Sequence, residues 1–239
     1  MRPVLPSHGT YFGLCNQLGF IFQGLQEAKE NKKTSVKIGV FNTDIAKPDY
    51  IPTNELFDFS EIENQNNILI TYEDKIPKKY ETNYKMQFNF NKEYCEMFKF
   101  SRKIESFSDE IIKNLPPIVA VVHSKLEKDV FLLRKEHGGN IEEYEKDMID
   151  QYTEVLKKIP EGNILLLTHD IHSFWKQKNN VIIPPKKSEC REISAAIEMS
   201  LAIKLLKDSK IHWVKVSGST FDFVMQYKIQ GNPQHIINS

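Results

Sequence analysis

The run Ile118-Val-Ala-Val-Val122 constrains this 239-residue chain more than any other segment. Five consecutive apolar residues, entered from Pro116-Pro117, suit a strand buried on both faces, as strands of parallel sheets are. Parallel neighbours need crossover connections, and the flanking sequence supplies them. Asn16 to Lys29 carries Leu18, Phe20, Ile21, Leu25 and Ala28 at close to helical spacing. Short β-branched or aromatic runs at Val36–Phe41 and Ile68–Tyr72 predict strands. Asn140 to Ile159 is amphipathic, with Ile141, Tyr144, Met148, Tyr152, Val155 and Ile159 on one side, and Asn140 with Glu143 resembles a capping box. Strands are then expected at Ile164–Leu167, Val181–Ile183 and His212–Val216, and helices over Glu189–Asp208 and Thr220–Ile229. From Glu73 to Lys113 the chain is polar and lysine-rich, which predicts loops with one or two helices. The expectation is an α/β fold with a mainly parallel sheet, divided near Pro116-Pro117 into halves 1–115 and 116–239.

Charge and composition exclude several classes. Thirty-two basic residues balance thirty-two acidic ones, so no bulk attraction to nucleic acid or an acidic membrane is expected. No apolar stretch reaches the roughly 18 residues of a membrane-spanning helix. Met1–His8 lacks a leader's apolar core, and a cytoplasmic location is the expectation. Cys15, Cys95 and Cys190 are scattered without a Cys-x-x-Cys pair, which argues against a disulfide framework and a structural zinc site. Arginine occurs only at Arg2, Arg102, Arg134 and Arg191.

Three clusters could carry chemistry. Gly13-Leu-Cys-Asn-Gln17 stands at a predicted helix start, where backbone N–H groups and the helix dipole can meet a phosphate. The plainer reading has Asn16 capping the helix and Cys15 buried as a small apolar residue. His123-Ser-Lys-Leu-Glu-Lys-Asp129 follows the central strand, at the end where open α/β sheets bind ligands. If the strand continues, His123, Lys125, Glu127 and Asp129 share one face, a cation held beside acids. Its alternative is a solvated charged loop. Ser217-Gly-Ser-Thr-Phe221 joins a strand to a helix, and its hydroxyls and turn amides could converge on an anion. An ordinary serine N-cap accounts for it equally.

Together, in this order, the clusters resemble the fucosyltransferase superfamily, the GT-B-like group of α1,2- and α1,6-fucosyltransferases and protein O-fucosyltransferases. Gly13-Leu-Cys-Asn-Gln17 is similar to the family's Gly-x-x-Asn-Gln element. His123 to Asp129 resembles its His-x-Arg-x-Glu-x-Asp form, and Ser217 to Phe221 its Ser-Thr-Phe element. The helix with Arg191-Glu-Ile and Glu198 resembles the acidic helix before that last strand. The likeness runs from about His8 to Gly231 and leaves Glu73 to Lys113 unrecognised. Lys125 stands where the family has arginine, a flexible point charge in place of a planar fork.

The resemblance implies two Rossmann-like halves and inverting transfer of a 6-deoxyhexose, foremost L-fucose from GDP-fucose, to a hydroxyl of a glycan or protein, without metal or a separate cofactor. It implies that Lys125 stabilises the departing diphosphate, with Ser217, Ser219, Thr220 and Phe221 around the same phosphates. Gly13 and Asn16 would line the other side of the donor. His123, Glu127 and Asp129 would order the site, with Glu127 a candidate base. Glu198 would hold a donor hydroxyl or Arg191. Thr168-His-Asp170 with His172 would border the donor pocket rather than hold a metal. Three alternatives remain: another donor such as a nucleotide-rhamnose, a non-catalytic nucleotide-sugar or glycan-binding protein, and an unrelated hydrolase using Cys15.

Overall fold

A computed structural model describes residues 13–42, 50–72, 91–216, 219–229 and 236–238. The chain divides into two compact units. Unit 1 draws on Met1–Asp109, Lys187–Ser200 and Phe223–Lys228, and unit 2 on Glu110–Lys186, Leu201–Asp222 and Ile229–Ser239.

Unit 1 opens with helix α1, Leu14–Glu30, two residues longer at its N-terminal end than its apolar spacing suggested. Leu14, Leu18, Ile21, Leu25 and Ala28 recur every three or four residues and are buried. The apolar run after it is broken at Gly39 into β1, Ser35–Ile38, and β2, Val40–Asn42. Then come β3 (Tyr50–Pro52), α2 (Thr53–Leu56), β4 (Phe57–Asp58), α3 (Ser60–Asn66) and β5 (Leu69–Tyr72). Past 73–90, which lie outside the described residues, follow α4 (Lys92–Met97), β6 (Lys99–Phe100) and α5 (Arg102–Asn114). Strand β1 pairs parallel with β5, while β2–β3 and β4–β6 are antiparallel. The core is aromatic: Phe57 meets Phe41, Phe59, Phe98 and Phe100 at ring-centroid distances of 5.4–6.0 Å.

Unit 2 holds the expected parallel sheet. Its strands are β7 (Ile118–His123), β8 (Asn163–Leu167), β9 (Val181–Ile182), β10 (His212–Lys215) and β11 (Ile236–Asn238), and its helices α6 (Lys128–Glu136), α7 (Ile141–Leu156) and α8 (Ser173–Lys176). Helix α9 (Arg191–Leu205) enters this unit at Leu201, and α10 (Thr220–Lys228) leaves it after Asp222. Every pairing is parallel, and the order across the sheet is β11-β10-β7-β8-β9. The chain thus starts in the middle, moves outward through β8 and β9, then returns to the other side of β7. That reversal defines a topological switch point between the carboxyl ends of β7 and β10, the place where open α/β sheets take their ligands. Ala120, Val122, Ile164, Leu166 and Val214 of the central strands pack with Met148, Tyr152 and Val155 of α7.

One local expectation is overturned. The strand stops at His123 instead of continuing, and helix α6 begins at Lys128. Asp129 therefore sits in a helical first turn and not on a strand face shared with His123 and Lys125.

Candidate functional site

The segment leaving β7 is held at each peptide. Ser124 N–H extends the ladder to Leu167 O at 2.9 Å. Tyr152, fully buried, accepts from Lys125 N–H at 2.9 Å and donates to His123 O at 3.0 Å. Ser124 Oγ accepts from Leu126 N–H and from Trp175 Nε1, both at 3.1 Å. Buried backbone groups need such partners, and here Tyr152 of α7 and the Ser124 hydroxyl, itself held by Trp175 of α8, provide them. Burial pushes the Tyr152 phenol well above its ordinary pKa, so it remains a donor.

This scaffold aims Lys125 across the switch point at the start of α10. Its Nζ donates to His123 Nδ1 and to Ser219 Oγ, each at 2.7 Å, and lies 3.6 Å from Asp222 Oδ2. Lys125 is 7% exposed and Asp222 2%. An ammonium can only donate, so Nδ1 accepts and neutral His123 carries its proton on Nε2. The His123 ring stacks on Phe221 at 4.2 Å, and Phe221 on buried Trp213 at 6.0 Å, which fixes the imidazole plane. Ser219 Oγ donates to Asp222 Oδ2 at 2.6 Å and accepts from Asp222 N–H at 3.2 Å, while Ser219 N–H reaches Asp222 Oδ2 at 3.1 Å. That is a capping box with aspartate as its acid. The serine-cap reading of this segment thus holds geometrically, with a buried lysine added to it. Thr220 opens α10 and is partly buried.

Glu127 turns the other way. It is 6% exposed, and its Oε1 lies 2.9 Å from Thr168 Oγ1 and accepts from His169 N–H at 2.7 Å. The carboxylate ties the loop after β8 to the segment after β7. Asp129 Oδ1 accepts from Val130 N–H, 2.8 Å away. His172 is a helix cap: Nδ1 accepts from Phe174 N–H at 3.2 Å, and Nε2 lies 3.1 Å from Glu145 Oε1. Among the described residues no group of three His, Cys, Asp or Glu side chains is arranged to hold a metal ion.

The remaining candidates are spread through the fold. Gly13 is the N-cap of α1, so Asn16 lies inside the first turn and does not cap it; its N–H bonds Gly13 O at 3.0 Å. Asn16 Oδ1 is buried without a hydrogen-bond partner among the described residues. Arg191 and Glu198 lie on α9, in the part belonging to unit 1, the unit that also holds Gly13 and Asn16. Ser217 lies outside the described residues. Asp222, Tyr152, Ser124 and Trp175 went unselected in the sequence. For Asp222 the signal was present, since Ser219-x-x-Asp222 has capping-box spacing.

Comparison of the chain with protein-family models, with curated proteins and with solved structures gives no match. The site's own chemistry therefore carries the functional argument. Among the described residues, no helix is long and apolar enough to cross a membrane.

Proposed function

We propose that the protein is an inverting, GT-B-like glycosyltransferase that moves a 6-deoxyhexose, foremost L-fucose from GDP-fucose, to a hydroxyl on a glycan or protein acceptor. The observation that supports this reading best is the meeting of Lys125, after β7, with Ser219, at the start of α10, at the reversal of strand order. A buried cation beside a helix N-terminus is suited to a diphosphate. In this reading the acceptor oxygen attacks the anomeric carbon as the bond to the β-phosphate oxygen breaks. Lys125 offsets the charge gathering on the departing diphosphate. His123 offers Nε2–H, and Glu127 holds the Thr168–His169 segment at the rim. The acceptor's proton leaves on the diphosphate.

A second reading, a non-catalytic nucleotide-sugar-binding protein, draws support from Lys125 being already paired with Asp222. Two experiments decide. GDP or GDP-fucose, tested in EDTA at a hundredfold excess over Kd, should stabilise the protein by about 2.7 kcal/mol. No thermal shift with any nucleotide removes the donor site. In donor-hydrolysis and transfer assays, Lys125→Ala should lower kcat on the order of a hundredfold, with a smaller effect on donor affinity, and Lys125→Arg should retain activity. Nucleotide-sugar binding without turnover in the wild type selects the second reading.

A further inference from the structure

We infer that Asp222 is an internal counter-anion for Lys125, and that a phosphate-bearing ligand enters this site only by displacing the Asp222 carboxylate from it. The inference rests on the reading above only in taking the ligand to be anionic.

Ser219 Oγ is saturated by Lys125 and Asp222. A serine hydroxyl has one hydrogen and two acceptor positions. Here the hydrogen goes to Asp222 Oδ2, and the acceptor positions take Lys125 Nζ and Asp222 N–H. Ser219 Oγ has no capacity left for a phosphate oxygen. A ligand that takes the serine hydrogen must take it from Asp222.

Electrostatics points the same way. A capping box needs an acid at its fourth position only to reach the cap's N–H, and no cation is required. In this chain Lys125 arrives from another strand, and its charge is buried against that same acid. Buried charges persist when paired, so Asp222 compensates Lys125 while the site is without ligand. A diphosphate placed on Lys125 would then face a buried carboxylate of like charge. Ligand affinity is the attraction to Lys125 less the work of separating the pair, which favours a dense polyanion over a single weak anion.

Isothermal titration of the full chain with inorganic pyrophosphate, and separately with GDP, both in EDTA, tests this. Asp222→Asn keeps an oxygen for the Ser219 hydroxyl while deleting the charge, and it should bind pyrophosphate at least tenfold more tightly than the wild type. Adding Lys125→Gln to that variant should abolish the gain. Unchanged or weaker pyrophosphate binding by Asp222→Asn overturns the inference, because Asp222 then only positions Lys125. GDP binding by the wild type with no gain in the variant sinks the inference and leaves the donor reading standing. A pyrophosphate gain with no GDP binding by either protein does the reverse. Failure of both probes on both proteins overturns both. Should Asp222→Asn not fold, Asp222→Ser removes the same charge and is read the same way.

Discussion

Tyr152 does with one oxygen what the backbone of β7 cannot do for itself past its last residue. Removing that oxygen takes one buried hydrogen-bond partner from Lys125 N–H and one from His123 O. Tyr152→Phe should therefore cost about 1–3 kcal/mol in urea denaturation, more than the loss of one exposed hydrogen bond. Little or no loss would mean the clamp is redundant. At this scale the sequence was legible where chemistry is concentrated in a short string. His123, Lys125 and Ser219 stand together in space as in the motifs that named them. In the sequence Tyr152 reads as one more position on the apolar side of an amphipathic helix. Its spacing shows which way it points but not that a broken strand end lies opposite.

Helices with long apolar stripes, α1 and α7, were found close to their ends because a buried face imposes its period over several turns. Helix α6 was missed for the opposite reason: it has no buried residue, so its sequence carries no stripe. Short elements such as β4 and β6 were also out of reach, since two residues cannot display alternation. Entry into β8 depends on a different signal, a glycine. Gly162 has φ +151°, and an added Cβ would lie 2.5 Å from Val119 Cγ1. Gly162→Ala forces a methyl into a branched neighbour on the adjoining strand, an overpacking that costs about 1–3 kcal/mol. A thermal melt should show the loss, and the paired variant Gly162→Ala/Val119→Ala should recover part of it. No recovery would place the strain in the backbone rather than in the contact.

Across the molecule, alkaline sensitivity should come from buried acids in both units, Tyr144 and Tyr152 of unit 2 among them, since burial raises each of these phenols. Burial pushes the Cys95 thiol from 9.0 to about 12, and the Tyr72 and Tyr94 phenols from 10.0 to about 12. Unfolded, these groups release protons that the folded chain still holds, so their contribution is complete below pH 9 and lost as pH rises towards 12. Lys228 opposes them. Burial lowers it from 10.5 to about 8, so between those values the unfolded chain holds the extra proton and stability rises with pH. One base works against five acids, and the melting midpoint should fall steadily above about pH 10. A midpoint that climbs through that range would refute the burial of these acids. The strand order was beyond the sequence altogether, because local pattern marks a strand without naming its neighbours. The expected division at 115/116 likewise rested on two prolines, whereas the later segments Lys187–Ser200 and Phe223–Lys228 group with the residues before Asp109. That grouping bears on how the protein is made. A ribosome delivers Asp109 long before Lys228, and at typical elongation rates the interval is about 6–24 s. Throughout it the first unit stands incomplete, its aromatic side chains waiting on helices not yet synthesised. Chaperone demand should therefore last from the emergence of Asp109 until the segment through Lys228 has left the ribosome.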